Sequence, residues 1–379
     1  MPSEAQHLIS RRTLVTGAVA AGLTVAVATP SRATASRATT APARYRTVGR
    51  TAPAADGFVQ FTWPGVHFEA RFAGTGVGVV LDDSVNDYDV QIDGVTVRTL
   101  VTPGRATTWV DGLADAVHTV RLVKRTESPW SVGKFGGFLP VRGGAILSAP
   151  RARRRQIEYI GDSFTAGYGN VSGTRDCSGV GGVDRNSNAD LSFGALTARA
   201  LGADHQLNAF SGRGMVRNYA GTSPGTDYRT YYDRALLNVD GDVWQRPPTW
   251  RPQLVVIGLG INDFSTPLQP GEPWATEAEL VAAYETAYHG FLDKLRARYG
   301  PHPHLLLSST QVSTPAPYRE TVERITRTRS TQGDPRIHHW YYGDAPLDFL
   351  ACDWHPSAQD HRTLSTLLLD RLSTLRLHW

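Results

Sequence analysis

Four short blocks of this 379-residue chain carry side chains that could together run an acyl transfer. Such chemistry needs a nucleophile, a base to take its proton, and hydrogen-bond donors for the oxyanion that forms. Ser163, in Gly161-Asp162-Ser163, is a candidate nucleophile, and His355, in Cys352-Asp353-Trp354-His355-Pro356, a candidate base. Candidate donors are the backbone amides of Ser163 and of Gly212, in Ser211-Gly212-Arg213-Gly214. The side-chain amide of Asn262, in Gly258-Leu259-Gly260-Ile261-Asn262-Asp263, is a third. A glycine at 212 lets the backbone approach a substrate oxygen with no Cβ in the way. Taken alone, Gly-Asp-Ser is a polar turn of a kind found everywhere.

These groups need elements that place them along one edge. Ile157, Tyr159 and Ile160 make a β-prone run that stops at Gly161, so Ser163 falls on a strand-to-helix corner. The first amides of the next helix then lie close to any oxyanion formed there. Further strands are expected over residues 205–210, 254–259, 305–307 and 337–341. Leu191, Ala195 and Ala198 have helical spacing, and Thr276-Glu277-Ala278-Glu279 is a capping box opening a long helix that ends at Gly300. Ser357 begins a last helix through Leu364, Leu367, Leu368 and Leu372. This alternation predicts an α/β domain with a mostly parallel, doubly wound sheet, whose functional groups gather at the carboxyl ends of its strands. Asp162 and Asp263 suit local hydrogen bonds that hold the turns. The aromatic-rich segment 217–250 could wall a cleft or could be ordinary packing.

Residues 45–150 read differently. Val59, Phe61 and Trp63 alternate with polar neighbours, as do Phe68, Ala70 and Phe72, then Val77, Val79 and Leu81. Tyr88, Val90 and Ile92, then Val95 and Val97, and later Val120 and Leu122 continue the period of two. Turn signals such as Pro64-Gly65, Asp93-Gly94 and Asp111-Gly112 separate the runs. Many short, evenly spaced strands and no helix of normal length predict a β-sandwich of jelly-roll type.

The N-terminus has the pattern of an export signal. Arg11-Arg12 precedes an apolar, alanine-rich run from Leu14 to Ala28, and Ala33-Thr34-Ala35 supplies a small-residue cleavage site. The expected organisation is a twin-arginine signal over 1–35, a linker over 36–44, a β-sandwich over 45–150 and a catalytic domain over 151–379. Cleavage near Ala35 lowers the formal charge from +4 to about +2. The run Arg151-Ala152-Arg153-Arg154-Arg155 is then a solvated junction, and no nucleic-acid motif accompanies it. A secreted monomer is expected, with no nucleic-acid partner and no membrane contact after cleavage. The two cysteines, Cys177 and Cys352, form either one disulfide or two buried thiols. No metal is expected, because the pairs His302/His304 and His338/His339 lack a third ligand in register.

The four blocks, in this order, resemble those of the SGNH (GDSL-type) hydrolases. The chain from Tyr45 to Trp379 is further similar to carbohydrate esterase family two. Trp63-Pro-Gly-Val-His-Phe-Glu-Ala-Arg71 and Leu122-Val-Lys-Arg-Thr-Glu127 carry that likeness in the first domain. Gly161 to Gly169, Ser211 to Asn218, Gly260 to Phe264 and Cys352 to Ser357 carry it in the second. The resemblance implies a cofactor-free serine esterase removing O-acetyl groups from sugars, often at the primary 6-position. Its substrates would be acetylated plant polysaccharides such as acetylxylan or glucomannan.

The superfamily usually places an aspartate three residues before the histidine, where this chain has Cys352; Asp353 lies two before. Asp353 is therefore the expected third catalytic member, although relatives sometimes use backbone carbonyls in its place. Phe264, Trp354 and Tyr168 are the expected sugar-stacking residues, and a Cys177–Cys352 bridge would tie the serine loop to the histidine loop. Two rival readings are a lipase or esterase acting on lipids or small esters, and a catalytically inert polysaccharide-binding protein.

Overall fold

The computed structural model describes residues 44–314, 316–377 and 379. The expected signal, its cleavage site and most of the linker lie outside these residues.

The N-terminal part consists of two antiparallel sheets. One runs in the order Arg46–Val48, His67–Gly74, Ala116–Lys124, Asp87–Ile92 and Val95–Val101, with Ala145–Ile146 also paired to His67–Gly74. The other runs Ala52–Pro53, Val59–Phe61, Gly133–Pro140, Val77–Asp83 and Gly104–Val110. Alternate side chains point inward, so Phe61, Phe68, Phe72, Val79, Leu81, Val90, Leu122 and Phe135 share one buried core. Val95 and Val97 alternate as a strand but face outward, because their strand is the sheet edge and only Leu100 turns in.

The C-terminal part is built on five parallel strands in the spatial order Asp204–Ala209, Gln156–Gly161, Leu254–Gly258, His304–Ser309 and Ile337–Tyr341. Both faces are covered, so Leu254–Ile257 and Leu305–Leu307 are apolar on both sides, whereas Asp204–Ala209 buries the polar side chains of His205, Gln206 and Asn208. Tyr159, Val256 and Leu306 face the helices Phe193–Ala200 and Ala358–Ser373 through Phe193, Leu364 and Leu368. Val255, Ile257, Leu305 and Leu307 face Glu277–Tyr299 and Tyr318–Thr331 through Tyr284, Phe291, Tyr318 and Val322. Thr276 and Glu279 form the expected capping box, and Ser357 caps the last helix with Asp360. The helix Tyr318–Thr331 has no counterpart in the sequence reading. Its only apolar side chains are Tyr318, Val322 and Ile325, one per turn, among arginines and threonines.

Polar contacts join the two parts. Arg50 is fully buried beyond the sandwich, bonded to Glu158 at 3.0 Å and stacked against Trp63, Tyr232 and Trp244. Arg121 grips Asp190 with two bonds of 2.9 and 2.8 Å, and Arg46 reaches Asp204 at 2.7 Å. In the segment 217–250, Tyr228, Tyr232, Trp244 and Trp250 are all buried. These aromatics are packing, and only Tyr219 stands exposed.

Candidate active site

The strand order explains why the blocks meet. Ser163 follows the strand Gln156–Gly161, Gly212 follows its neighbour Asp204–Ala209, and Asn262 follows its other neighbour Leu254–Gly258. Three adjacent strands thus deliver three of the blocks to one carboxyl edge, beside the point where the strand order reverses. The last block arrives from the loop after Ile337–Tyr341 and leads into Ala358–Ser373, which packs on Phe193–Ala200 beside the first two strands.

Ser163 opens the short helix Ser163–Ala166, and Asp162 caps that helix by accepting the Phe164 N–H at 3.1 Å. His355 Nε2 lies 2.8 Å from Ser163 Oγ. The other ring nitrogen, Nδ1, faces the carbonyl oxygens of Cys352 at 3.0 Å and Asp353 at 3.1 Å. Carbonyls only accept, so Nδ1 must carry the proton and Nε2 is left to accept from the serine hydroxyl. Burial holds the imidazole below its ordinary value, while the two carbonyls and the nearby Asp353 charge pull it upward. The ring sits between Tyr168, 4.3 Å away between centroids, and Phe164 at 5.7 Å.

The N–H groups of Ser163 and Gly212 donate to no other group among the described residues, as a pair awaiting an oxyanion should. Gly212 has φ of +75°, and a Cβ there would point into open space. Glycine is needed here for the backbone conformation and for what approaches from outside. Asn262 differs from these two. Its Nδ2 already donates to Asp162 Oδ2 at 3.1 Å and to the Arg213 carbonyl at 3.0 Å, so it would have to share those bonds to reach an oxyanion. Asp162 is pushed up to about 7, first by burial and further by Asp263 and Glu127. Asp263 accepts the N–H groups of Met215, Val216 and Arg217 and so shapes the loop after Gly212.

Two sequence expectations change. The Asp353 carboxylate does not stand behind His355: it accepts the Tyr168 hydroxyl at 2.8 Å, and only the Asp353 backbone carbonyl meets the imidazole. The cause is local backbone. Asp353 and Trp354 have φ of 51° and 61°, a left-handed turn that swings the side chain away and both carbonyls inward. Phe264 is not available to a sugar. It is 2% exposed, at the end of the helical turn Ile261–Phe264, and packs on Tyr284 and Tyr318. Trp354, by contrast, is 66% exposed, with the Arg175 guanidinium 3.6 Å from its ring centroid. Tyr168 is half-buried at the edge of the site.

Cys177 and Cys352 are joined in a disulfide. Gly169, with φ of +59°, packs so closely on this bridge that a Cβ would lie 2.4 Å from that of Cys352. Around it, Asp353 N–H donates to the Arg175 carbonyl at 2.8 Å, and the Arg175 side chain donates to the carbonyls of Phe349 and Asp348. The left-handed turn carrying His355 is thus tied to the loop after Ser163.

Next to the pair lies a cavity of about 380 Å³, bordered by Glu127, Trp130, Tyr168, Asp184, Phe210 and Ser211. A larger cavity, of about 870 Å³, lies against the helix Glu277–Tyr299 and contains none of the four blocks' reactive groups. Sequence reasoning did not assign roles to Glu127, Trp130 or Asp184. Glu127 and Trp130 come from the N-terminal domain, and only the fold brings them beside Tyr168 and Ser211. The histidine pairs lie elsewhere: His304 and His338 stack together, and no group of three or more His, Cys, Asp or Glu suited to a metal occurs among the described residues.

Known proteins share this arrangement. Residues 47–150 match the family Carbohydrate esterase 2 N-terminal, and residues 159–372 match the GDSL-like Lipase/Acylhydrolase family. An acetylxylan esterase / glucomannan deacetylase of Cellvibrio japonicus is 37% identical over 84% of this chain and 86% of its own. A solved carbohydrate esterase, described as having divergent catalytic and non-catalytic binding functions at its active site, shares 34% identity. It superposes with a TM-score of 0.80 over 89% of this chain and 99% of its own. A family two carbohydrate esterase from Clostridium thermocellum, solved with cellohexaose, is 28% identical with a TM-score of 0.75 over 87% and 98%. With a serine–histidine pair at the sheet edge and both domains matched in order, the chain belongs to carbohydrate esterase family two, the carboxylic ester hydrolases built on a GDSL-type domain.

Proposed function

We propose that this protein is a secreted O-acetyl esterase acting on acetylated plant polysaccharides, such as acetylxylan or glucomannan, with the 6-position as a favoured site. The observation that carries the reading is the 2.8 Å contact between His355 Nε2 and Ser163 Oγ, set beside two unengaged amides. The Cellvibrio relative's named activity supports the acetyl and polysaccharide parts, and the cellohexaose bound by the Clostridium enzyme supports a sugar chain lying across the cleft. The twin arginine and its cleavage pattern support export, and a disulfide fits an oxidising compartment.

In this mechanism His355 Nε2 takes the Ser163 proton as Oγ bonds to the acetyl carbon. The Ser163 and Gly212 amides stabilise the oxyanion, joined by Asn262 as it shares its bonds. The carbonyls of Cys352 and Asp353 steady the imidazolium in the role a carboxylate plays elsewhere. The tetrahedral intermediate collapses, the sugar oxygen leaves with the proton from Nε2, and the acetyl group stays on Ser163. His355 then deprotonates water, which releases acetate and restores the serine.

The cavity border of Trp130, Tyr168, Asp184 and Glu127 is aromatic and acidic, which suits a carbohydrate better than a long acyl chain. NMR-followed hydrolysis of regiodefined acetylated xylosides and mannosides tests the reading and fixes the ring position. Acetate release that Ser163→Ala abolishes supports it. Full release by that variant, or activity that rises with acyl chain length, sinks it.

A further inference from the structure

Glu127 lies just past the strand Ala116–Lys124 of the N-terminal domain, yet its carboxylate ends on the oxyanion side of the catalytic centre. Oε1 accepts the Ser211 N–H at 2.6 Å, and Oε2 accepts the Ser211 hydroxyl in a shorter bond. Ser211 is the residue before Gly212, and the peptide between them carries the unengaged Gly212 N–H. On the other side, the Gly212 carbonyl accepts the Tyr219 N–H at 3.0 Å. That peptide is therefore pinned at both ends, one pin crossing over from the other domain.

The placement is costly and specific. Glu127 is buried, and burial raises its carboxyl above the ordinary value, while the two Ser211 donors and the Lys124 charge pull it back. Lys124 is buried as well, and its Nζ donates to the carbonyls of Thr62 and Thr126. It secures the backbone next to Glu127 and sets a positive charge facing the carboxylate. Asp184, across the cavity, opposes that charge. A buried carboxylate whose two oxygens both serve one serine is a poor generic anchor but a good way to fix that serine's orientation.

We propose that Glu127 is a positioning residue for ester hydrolysis: it fixes Ser211 so that the Gly212 N–H points where the oxyanion forms, making the N-terminal domain a working part of the catalytic centre. The inference rests on the esterase reading above. An oxyanion donor misplaced by a fraction of an ångström loses much of its worth only in the transition state, so the loss should fall on kcat rather than on KM.

The test compares wild type, Glu127→Ala, Glu127→Gln and Ser211→Ala on 4-nitrophenyl acetate and on an acetylated xylo-oligosaccharide. Inhibition by an aryl trifluoromethyl ketone is measured in parallel, because serine adds to it to form a stable oxyanion. In Glu127→Ala, kcat is expected to fall about 10- to 100-fold with KM within about 2-fold, and the ketone's inhibition constant to rise by the same factor. Glu127→Gln keeps an acceptor for the Ser211 N–H and a donor for its hydroxyl, so it should restore kcat to within about 3-fold. Ser211→Ala, which keeps the N–H contact, should lie between the two and stands in should Glu127→Ala fail to fold. Unchanged kcat in Glu127→Ala or Ser211→Ala overturns the proposal. So does a loss carried by KM with ketone affinity intact, or an equal loss in Gln and Ala. A wild type that hydrolyses neither ester sinks the esterase reading and this inference together, whereas an active wild type with indifferent variants sinks this inference alone.

Discussion

The Tyr168 hydroxyl donates to the Asp353 carboxylate at 2.8 Å, so the acid nearest His355 in the chain is engaged by a phenol and not by the imidazole. Burial and the facing carboxylate hold the Tyr168 phenol well above its ordinary value, which keeps it the donor of this pair. Orientation of His355 falls to the carbonyls of Cys352 and Asp353.

Asp353→Ala should therefore cost less than about 10-fold in kcat/KM, against the roughly 10⁴-fold expected when a true triad carboxylate is neutralised. Steady-state kinetics on an aryl acetate decides between them. A loss of several thousand-fold would put the carboxylate back behind the imidazole.

The pH profile follows from the same geometry. Only neutral His355 can accept the Ser163 proton, and burial lowers its pKa from the ordinary 6.5. Log kcat/KM should climb as pH rises through an apparent pKa below that value and then level off, since kcat/KM reports the free enzyme's essential base. A rising limb centred above pH 7 would contradict this account.

The Cys177–Cys352 bridge closes a sequence separation of 175 residues and holds the left-handed turn that carries His355. Cys352→Ser should lower stability by about 2–5 kcal/mol in chemical denaturation. It should also lower kcat at temperatures where the variant is fully folded, because the two carbonyls behind the imidazole lose their support. Denaturation curves and kinetics that match the wild type would assign the bridge no such role.

At the junction of the two parts, Arg50→Met takes from buried Glu158 its paired guanidinium, leaving Asn208, Tyr232 and the Arg298 charge, and should cost about 3 kcal/mol. Adding Glu158→Gln should recover part of that loss, since the stranded charge goes with it. Urea unfolding of both variants measures the coupling; equal stability of the two would deny it.

Among the aromatics, Trp354 and Phe264 should separate cleanly. Trp354→Ala is expected to raise KM for an acetylated oligosaccharide several-fold and to leave KM for an aryl acetate unchanged. Phe264→Ala should leave both KM values near wild type and destabilise the fold by about 3–5 kcal/mol, as for a core phenylalanine. Kinetics paired with thermal melts tests both.

What the sequence determined by itself was mostly local chemistry. The β-prone run before Gly161, the caps at Thr276 and Ser357, and the strand–helix alternation each depend on neighbours within a turn or two. That was enough to place Ser163, Gly212 and Asn262 at strand ends and to bring them to one edge. The helix Tyr318–Thr331 escaped because three apolar residues among arginines and threonines are a faint periodic signal, which becomes clear only against the sheet face they cover.

Directions of side chains and contacts between distant segments were decided by tertiary structure. Whether Phe264 faces sugar or core depends on the phase of a single helical turn, which Tyr284 and Tyr318 select. Whether the carboxylate or the carbonyl of Asp353 meets His355 depends on a left-handed turn held by a bridge from residue 177. The contact from Glu127 to Ser211 spans 84 positions and two domains. No local pattern can encode such a contact, because its energy exists only once both chain segments have been packed into place.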